Sequence, residues 1–264
     1  MNKLDKRDLI LRSIIEAYLN QNLPIGSAEL GTRMSEAIPA STIRVYFKKL
    51  SDEGEITQLH ISGGRIPTHS AMRRYWSNEF SGFLPEIYID DERALSLLCE
   101  KFGVYCMVFA SSAQSLKDVL NLNDKFIVLE FDNDELVIKF DARVQKFLAN
   151  LKGVSLDQLE EFSAQVGLSE LRSKIRELKR TKIYFQANEI VAFKMFGDNR
   201  FKALLEPSVA SILSEPLTFS PIFESGYMGL KLPVNFQDKG ATLVCAGSVY
   251  VDYLNFLNQI KEAA

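Results

Sequence analysis

Two short helical patterns followed by a hairpin pattern with a Gly-Gly turn occupy residues 24–67 of the chain. Their sequence is PIGSAELGTRMSEAIPASTIRVYFKKLSDEGEITQLHISGGRIP. A helix pair with a short break, followed by a β-hairpin, is the order of elements in a winged helix-turn-helix, whose second helix enters the major groove of DNA. This stretch therefore predicts a DNA-reading unit at the N-terminal end, and the remaining residues are interpreted around it.

The first helical pattern of the pair begins near Ser27. The Ser27 hydroxyl is predicted to cap it, because serine accepts a hydrogen bond from a free backbone N–H at a helix start. Leu30 and Met34 lie four residues apart and share a face. Pro39 marks the start of the next helix, where a missing backbone donor costs nothing.

The second helical pattern separates apolar from polar side chains. Ile43, Phe47 and Leu50 recur at helical spacing and predict a buried face. Hydroxyl groups and arginine can reach base edges, whereas lysine more often neutralises phosphate. The predicted DNA-binding residues on the opposite side are Ser41, Thr42, Arg44, Val45, Lys48 and Lys49.

A strand pattern and a tight turn follow. Gly54 is expected to end the helix in the left-handed conformation, and residues 56–61 alternate as a strand. The turn at 62–65 places Gly63 and Gly64 before Arg65. Glycine allows close approach of the main chain to a sugar-phosphate backbone, and arginine supplies charge. These three residues are predicted to form a DNA-contacting wing.

Other interpretations of this stretch exist. Helix–turn–helix spacing and a Gly-Gly hairpin each occur in domains that bind no DNA, so either half alone favours a structural module. A winged unit can also serve as a protein-interaction module. The two halves in this order favour a DNA reader over both.

Three runs of residues resemble a known family. They are Pro24-Ile25-Gly26-Ser27, Ser41-Thr42-Ile43-Arg44 and Ser62-Gly63-Gly64-Arg65-Ile66-Pro67-Thr68. They are similar to the runs P-V-G-S, A-T-I-R and S-A-G-R-I-P-T of HrcA, the heat-inducible transcription repressors of bacteria. One departure is Val45-Tyr46, where the family commonly has Asn-Asp. The resemblance adds Ser27 to the expected DNA-binding residues.

The resemblance has further implications. It implies a homodimeric repressor that binds an inverted-repeat operator upstream of chaperone genes, releases it on heat stress, and reaches its active state with the chaperonin GroEL. It also implies an α+β fold, with the winged helix-turn-helix followed by a GAF-like domain into which a dimerisation segment is inserted. That segment is expected to be shortened here, at about residues 170–225.

The composition limits which classes of protein the chain can belong to. The chain has 264 residues, a net charge of −3 and 47% hydrophobic residues, which are typical of a soluble globular protein. No apolar run approaches the about 20 residues of a membrane helix. The charged N-terminal sequence has no signal-peptide core, so a cytoplasmic protein is expected. Residues 1–80 hold 11 Lys and Arg against 9 Asp and Glu, so any basic surface is local.

The second part of the chain predicts an α+β domain. A Gly- and Pro-containing link at 81–85 suggests a winged domain at 1–80 and a regulatory and dimerisation domain at 81–264. A helix at 69–80 carries Arg73 and Arg74, which could touch the operator or connect the two domains. A basic run at 171–180 could be a second nucleic-acid contact, although a solvated helix face is the commoner outcome.

Chemical motifs are missing from the sequence. No phosphate loop, GxGxxG, HExxH or GxSxG is present, so neither an enzyme nor a cofactor is expected. His60 and His69 lack the spacing of a metal site, and Cys99, Cys106 and Cys245 are expected to be buried thiols. A pocket between the sheet and Tyr250–Tyr253 would support the alternative that the GAF-like domain binds a small-molecule effector.

Overall fold

A computed structural model describes the chain over residues 5–34, 38–58, 63–82, 86–110, 114–132, 134–180, 183–214 and 216–263, without the side chain of Arg180. Helices and strands are mixed along the whole length, which gives the α+β class that the sequence predicts. The N-terminal elements are α1 (Lys6–Gln21), α2 (Ser27–Arg33), α3 (Ala40–Asp52), β1 (Ile56–Gln58), β2 (Arg65–Pro67) and α4 (His69–Glu79).

Helices α1, α2 and α3 pack around one small apolar core. Ile10 and Ile14 from α1 meet Leu30 from α2 and Ile43 and Leu50 from α3, all fully buried. The chain leaves α3 through Gly54, whose φ of 72° is the predicted left-handed conformation. Strands β1 and β2 then pair antiparallel, with Ile56 opposite Pro67. Residues 59–62, including His60 and the predicted turn residue Ser62, lie outside the described residues.

The body of the chain follows α4. Its elements are β3 (Tyr88–Ile89), α5 (Glu92–Phe102), β4 (Tyr105–Ala110), β5 (Asp118–Leu122), β6 (Phe126–Glu130), β7 (Glu135–Lys139), α6 (Ala142–Ala149), α7 (Leu156–Gln165), α8 (Ser169–Arg180), β8 (Ile183–Ala187), α9 (Glu189–Phe196), 3-10 helices Asn199–Leu205 and Pro207–Ser211, β9 (Leu217–Thr218), β10 (Tyr227–Phe236), β11 (Lys239–Ser248) and α10 (Tyr253–Glu262).

The main sheet has the strand order β3-β10-β11-β4-β8, and β9 pairs with β10. Helices α5 and α10 contribute Leu95, Cys99 and Phe256 to the core on one face. Helix α9 and the 3-10 helices cover the other face, where Tyr105 and Met195 are buried. The sheet is therefore covered by helices on both sides, which explains why its central strands are continuously apolar.

A smaller sheet, β5-β6-β7, has its own core with α6, α7 and α8. In sequence this segment lies between β4 and β8, which are neighbours in the main sheet. It is therefore inserted between two strands of the main sheet, at about 114–180. The sequence placed an insertion at about 170–225, but residues 183–187 of that range are strand β8. The difference arises because pairing between β4 and β8 is a long-range contact that no local pattern reveals.

Helix α4 joins the N-terminal elements to the body through a continuous core, which we call the seam. Thr68 caps α4 as predicted, since its hydroxyl accepts from the Ala71 N–H at 3.3 Å. Trp76 is fully buried, and its Nε1 donates to the carbonyl of Val249 at 2.7 Å. The domain boundary at 80/81 stays a prediction, but the apolar side of α4 already belongs to the core of the body.

Tyr250, which belongs to the body, contacts the N-terminal elements at the seam. Its ring lies edge-on to Tyr18 at 5.1 Å between centroids, and its hydroxyl donates to the carbonyl of Pro67 at 2.8 Å. Burial raises the pKa of Tyr250 to about 12, so the hydroxyl keeps its proton for this bond. The strand that ends the hairpin is thereby fixed to the body.

Candidate nucleic-acid interface

Helix α3 has one buried side and one exposed side, as its sequence predicts. Ile43, Phe47 and Leu50 are buried in the N-terminal core. Thr42 is half-buried at the border. The exposed residues form what we call the outer face of α3, namely Ser41, Arg44, Val45, Lys48 and Lys49. The face combines a hydroxyl, an apolar side chain and cations, and nothing in the described chain covers it.

Arg44 connects the outer face of α3 to the start of α2. Its Nε donates to the hydroxyl of Ser27 at 3.2 Å. The predicted capping role of Ser27 is wrong, because Gly26 is the cap residue and Ser27 is the first residue of α2. The Ser27 hydroxyl instead holds the guanidinium of Arg44, which brings two predicted site residues together at one point of the surface.

Lys48 and Lys49 are exposed and have no carboxylate partner among the described residues. Their charges are therefore not neutralised within the described chain. An ammonium group on a flexible stem at the surface is available for a phosphate. The outer face of α3 thus presents positive charge, even though the whole chain is acidic.

The hairpin uses its glycines for internal packing. The main chain of Ile25 exchanges two hydrogen bonds with Arg65, at 3.0 and 2.8 Å. A Cβ atom at Gly64 would lie 2.6 Å from the backbone of Pro24 and Ile25. Gly64 is therefore required for contact with the protein's own chain, whereas the sequence suggested an approach to DNA. Gly63 is exposed at the end of the hairpin.

The sequence suggested that Arg65 lies at the tip of the turn, but the structure places it elsewhere. It is the first residue of β2, lies opposite Gln58, and is half-buried. Its Nε is shielded from solvent without a hydrogen-bond partner in the described chain. Its main chain pairs both with β1 and with Ile25 in the segment before α2.

An ion-pair network that sequence reasoning missed lies beside this site. Glu55, which is buried, accepts from Arg7 of α1 at 3.2 Å and from Arg74 of α4. Arg7 also donates to Glu53 at 2.5 Å, and this hydrogen bond raises the pKa of Arg7. The pairs are 19 to 48 residues apart in sequence, so no helical spacing signals them.

The cations of α4 are engaged within the protein. Arg73 lies over the ring of Phe219 at 4.7 Å and donates to the hydroxyl of Ser220 at 3.1 Å. Arg74 is paired with Glu55. Of the two roles considered for these residues, their contacts favour connection of the N-terminal elements to the body.

Three cations of the basic run on α8 also have partners within the protein. Arg176 donates to Glu160 at 2.8 Å, and Lys179, only 7% exposed, pairs with Glu160 at 2.7 Å and Asp157 at 2.5 Å. Lys174 donates to the carbonyl of Val137 at 2.5 Å. The solvated face favoured from sequence is wrong for Lys179, which is buried, whereas Arg176 stays exposed at the surface while it pairs with α7.

The histidine and cysteine residues provide no metal site in the described chain. His69 Nδ1 lies 3.1 Å from the hydroxyl of Ser225 in the seam. Cys99, Cys106 and Cys245 are free and buried, which confirms the sequence prediction. Burial raises the pKa of Cys106, so its thiol stays protonated.

Among the described residues, none of the helices combines the length and the apolar character needed to span a membrane.

Comparison with known proteins identifies the family. The family model of the HrcA C-terminal domain matches residues 76–264, well over half of the chain. The chain belongs to the HrcA family. The match begins within α4, at the residue that anchors this helix in the body.

Two relatives named HrcA agree with this assignment. The heat-inducible transcription repressor HrcA of Helicobacter pylori is 28% identical over 262 residues, which cover 99% of this chain and 96% of the relative. HrcA of Clostridium acetobutylicum is 23% identical over 261 residues, covering 89% and 72%. Among solved structures, the chain is similar to a crystal structure of a hypothetical protein at 18% identity, with a TM-score of 0.48 and coverage of 98% and 97%, and the assignment does not depend on it. The relatives named HrcA are repressors and not enzymes, as expected for this chain.

Proposed function

We propose that the chain is a heat-inducible transcription repressor that binds an inverted-repeat operator of chaperone genes as a homodimer. Elements α2, α3 and the β1–β2 hairpin act as a winged helix-turn-helix. Helix α3 enters the major groove with Ser41, Thr42, Arg44, Val45, Lys48 and Lys49. Ser27, Gly63 and Arg65 contact the adjacent backbone, and Gly64 lets the hairpin pack on the segment before α2. The protein acts in the cytoplasm, where the chromosome is accessible.

The observation that carries this proposal is the outer face of α3. A helix with an apolar buried side and an exposed side of hydroxyl and cationic groups matches the chemistry of base edges and phosphates. The absence of carboxylate partners for Lys48 and Lys49 among the described residues leaves their charge available. The contact between Arg44 and Ser27 positions the guanidinium near the helix start, where base contacts of such helices concentrate.

The inserted segment supplies a surface for the homodimer. Leu120, Leu122, Phe126 and Val137 are exposed on one face of β5-β6-β7, while the other face is covered by α6, α7 and α8. The strand register aligns Leu120, Val128 and Val137 in one row across this face. Two copies related by a two-fold axis would bury these rows against each other.

The seam gives the dimer its geometry. Because Trp76 and Tyr250 bond the N-terminal elements to the body, each reader keeps a fixed orientation relative to the dimer surface. A fixed orientation matches two half-sites at one spacing, as required for an inverted repeat. The GAF-like body would serve as the frame between the two readers.

Heat release follows from the same arrangement. If the body or the seam unfolds, the readers lose their fixed spacing and the dimer loses its paired contacts. The dependence on GroEL that the family resemblance implies belongs to this proposal, since a body with exposed apolar surface needs protection until it dimerises.

Operator binding and unfolding measured over one temperature range test the proposal. We expect wild-type protein to shift an inverted-repeat duplex, and to release it as the body unfolds. Arg44→Ala and Arg65→Ala should weaken binding while circular dichroism stays unchanged. Unchanged binding by both variants would support a protein-interaction module instead. Release well below any loss of structure would exclude unfolding as the switch.

A cleft at the seam favours one second candidate, a regulator with a small-molecule effector. It has a volume of about 620 Å³ and lies between Asn20 and Asn22 on one side and Tyr250, Val251 and Asp252 on the other. This volume is in the range of ligand sites, about 300–1,000 Å³. A metabolite that raises the melting temperature of wild-type protein, but not of Asn20→Leu, and changes duplex affinity would support this candidate.

A further inference from the structure

The outer face of α3 contains one apolar side chain, Val45. It is 68% exposed, the most exposed of the large apolar residues in the described part of the chain. Apolar residues of a helix normally face a core, and Val45 lies on the side opposite the buried Ile43, Phe47 and Leu50. Packing within the described chain therefore does not account for its position.

The surroundings of Val45 are polar and cationic. Residues three and four apart are neighbours on a helix surface, so Ser41 precedes Val45 by one turn, and Lys48 and Lys49 follow it by one turn. Arg44 lies beside it and is held by Ser27. Val45 is thus an isolated apolar spot at the centre of the proposed DNA contact.

The isopropyl group of valine has no hydrogen-bond donor or acceptor. In the major groove the exposed apolar group is the 5-methyl group of thymine, whereas the other base edges present donors and acceptors. On the basis of the proposed function, we propose that Val45 is a specificity-determining residue that packs against a thymine methyl group in each operator half-site. The cations around it hold the helix on the phosphates, and Val45 selects an A·T pair at its position.

The next residue along the helix does not share this exposure. Tyr46 is half-buried, so the exposed apolar group of this turn is that of Val45 alone.

Thymine-to-uracil scanning tests this contact, because uracil lacks only the 5-methyl group. Duplexes are first selected from a random inverted-repeat library with wild-type protein. Each thymine is then replaced by uracil symmetrically in both half-sites, and the affinities of wild type, Val45→Ala and Leu97→Ala are measured. Leu97 is a matched control, since it is 67% exposed but lies on α5 of the body.

We expect one thymine position at which loss of the methyl groups weakens wild-type and Leu97→Ala binding by about tenfold for the two half-sites. Val45→Ala should bind the thymine duplex about tenfold more weakly and should be indifferent to uracil at that position. If Val45→Ala keeps the sensitivity of wild type at every position, or if wild type is sensitive at none, Val45 does not read a thymine methyl. Failure of wild type to select any duplex would instead overturn the proposed function.

Discussion

Helices α3 and α8 are both basic in sequence, but their cations are used in different ways. On α8, Arg176 and Lys179 share the carboxylate of Glu160, and Lys179 is almost fully buried. On α3, Lys48 and Lys49 are exposed and lack a carboxylate partner among the described residues. The composition of a helix therefore does not decide whether it can bind a polyanion. That depends on whether the fold gives each cation a partner within the protein.

The comparison also separates stability from recognition. The pairs of α8 hold the inserted segment together. Their loss should therefore lower stability, and duplex binding by the proposed N-terminal reader should stay unchanged. The outer face of α3 makes few contacts with the rest of the chain, so its loss should affect binding and leave folding unchanged. Substitutions on each helix therefore distinguish the two roles.

The largest effect is expected from reversing the charges on α3. Lys48→Glu with Lys49→Glu should weaken duplex binding on the order of 1000-fold, because each subunit exchanges two attractive phosphate contacts for repulsion. Thermal unfolding should change little, since both side chains are exposed. The matched control is Arg143→Glu with Lys146→Glu on α6, where the residues are also exposed. A comparable loss in the control would show that net charge, rather than the outer face of α3, governs binding.

Gly64→Ala should give the next largest effect, this time on stability. The added Cβ would lie 2.6 Å from the backbone of Pro24 and Ile25, so the hairpin must move away from α2. Overpacking of this kind costs about 2 kcal/mol of unfolding free energy. Gly240→Ala, where nothing lies within 4 Å of the new atom, is the control. Equal stability of the two variants in urea would contradict the packing role of Gly64.

Glu160→Gln should lower the unfolding free energy by about 2 kcal/mol, because Lys179 is left buried with a weaker partner while Arg176 is partly solvated. It also removes the carboxylate partner of Arg176, while Lys179 keeps Asp157 at 2.5 Å, and it therefore tests whether an unpaired cation on α8 is sufficient for binding. We expect duplex affinity to remain within about twofold of wild type. Tighter binding by this variant would mean that α8 contacts DNA once its charges are freed.

The smallest effect is expected on local stability at acidic pH. Hydrogen bonds from Lys117 and the backbone of Ser115 lower the pKa of Asp132 to about 2, and those from Lys179 and Arg176 lower that of Glu160 despite its burial. A lowered pKa stabilises the fold above the ordinary carboxyl range and loses this contribution as pH falls through the folded value. Protection from amide exchange in residues 114–180, taken relative to the intrinsic exchange rate at each pH, should therefore fall between about pH 4 and 2. Unaltered protection over that interval would contradict the pairing of α8.

The sequence predicted the local parts of this structure. The period of Ile43, Phe47 and Leu50 identified the buried side of α3 and therefore its outer face, and Thr68 identified the start of α4. Both signals lie within one or two helical turns. The fold class also followed from such local patterns.

The long-range contacts could not be predicted in this way. Glu160 meets Lys179 from a different helix, Gly64 packs on residues that precede α2, and β4 pairs with β8 across the whole insertion. Each of these contacts depends on how elements pack rather than on their own pattern. This explains why the positions of Arg65 and of the inserted segment differ from expectation.

The salt dependence of operator affinity tests the central claim most directly. If Lys48 and Lys49 of two subunits contact phosphates, the slope of log affinity against log salt should be shallower by about 3.6 for Lys48→Ala with Lys49→Ala than for wild type, at about 0.9 for each lost contact. A double variant that binds the inverted repeat with the wild-type slope would contradict the account.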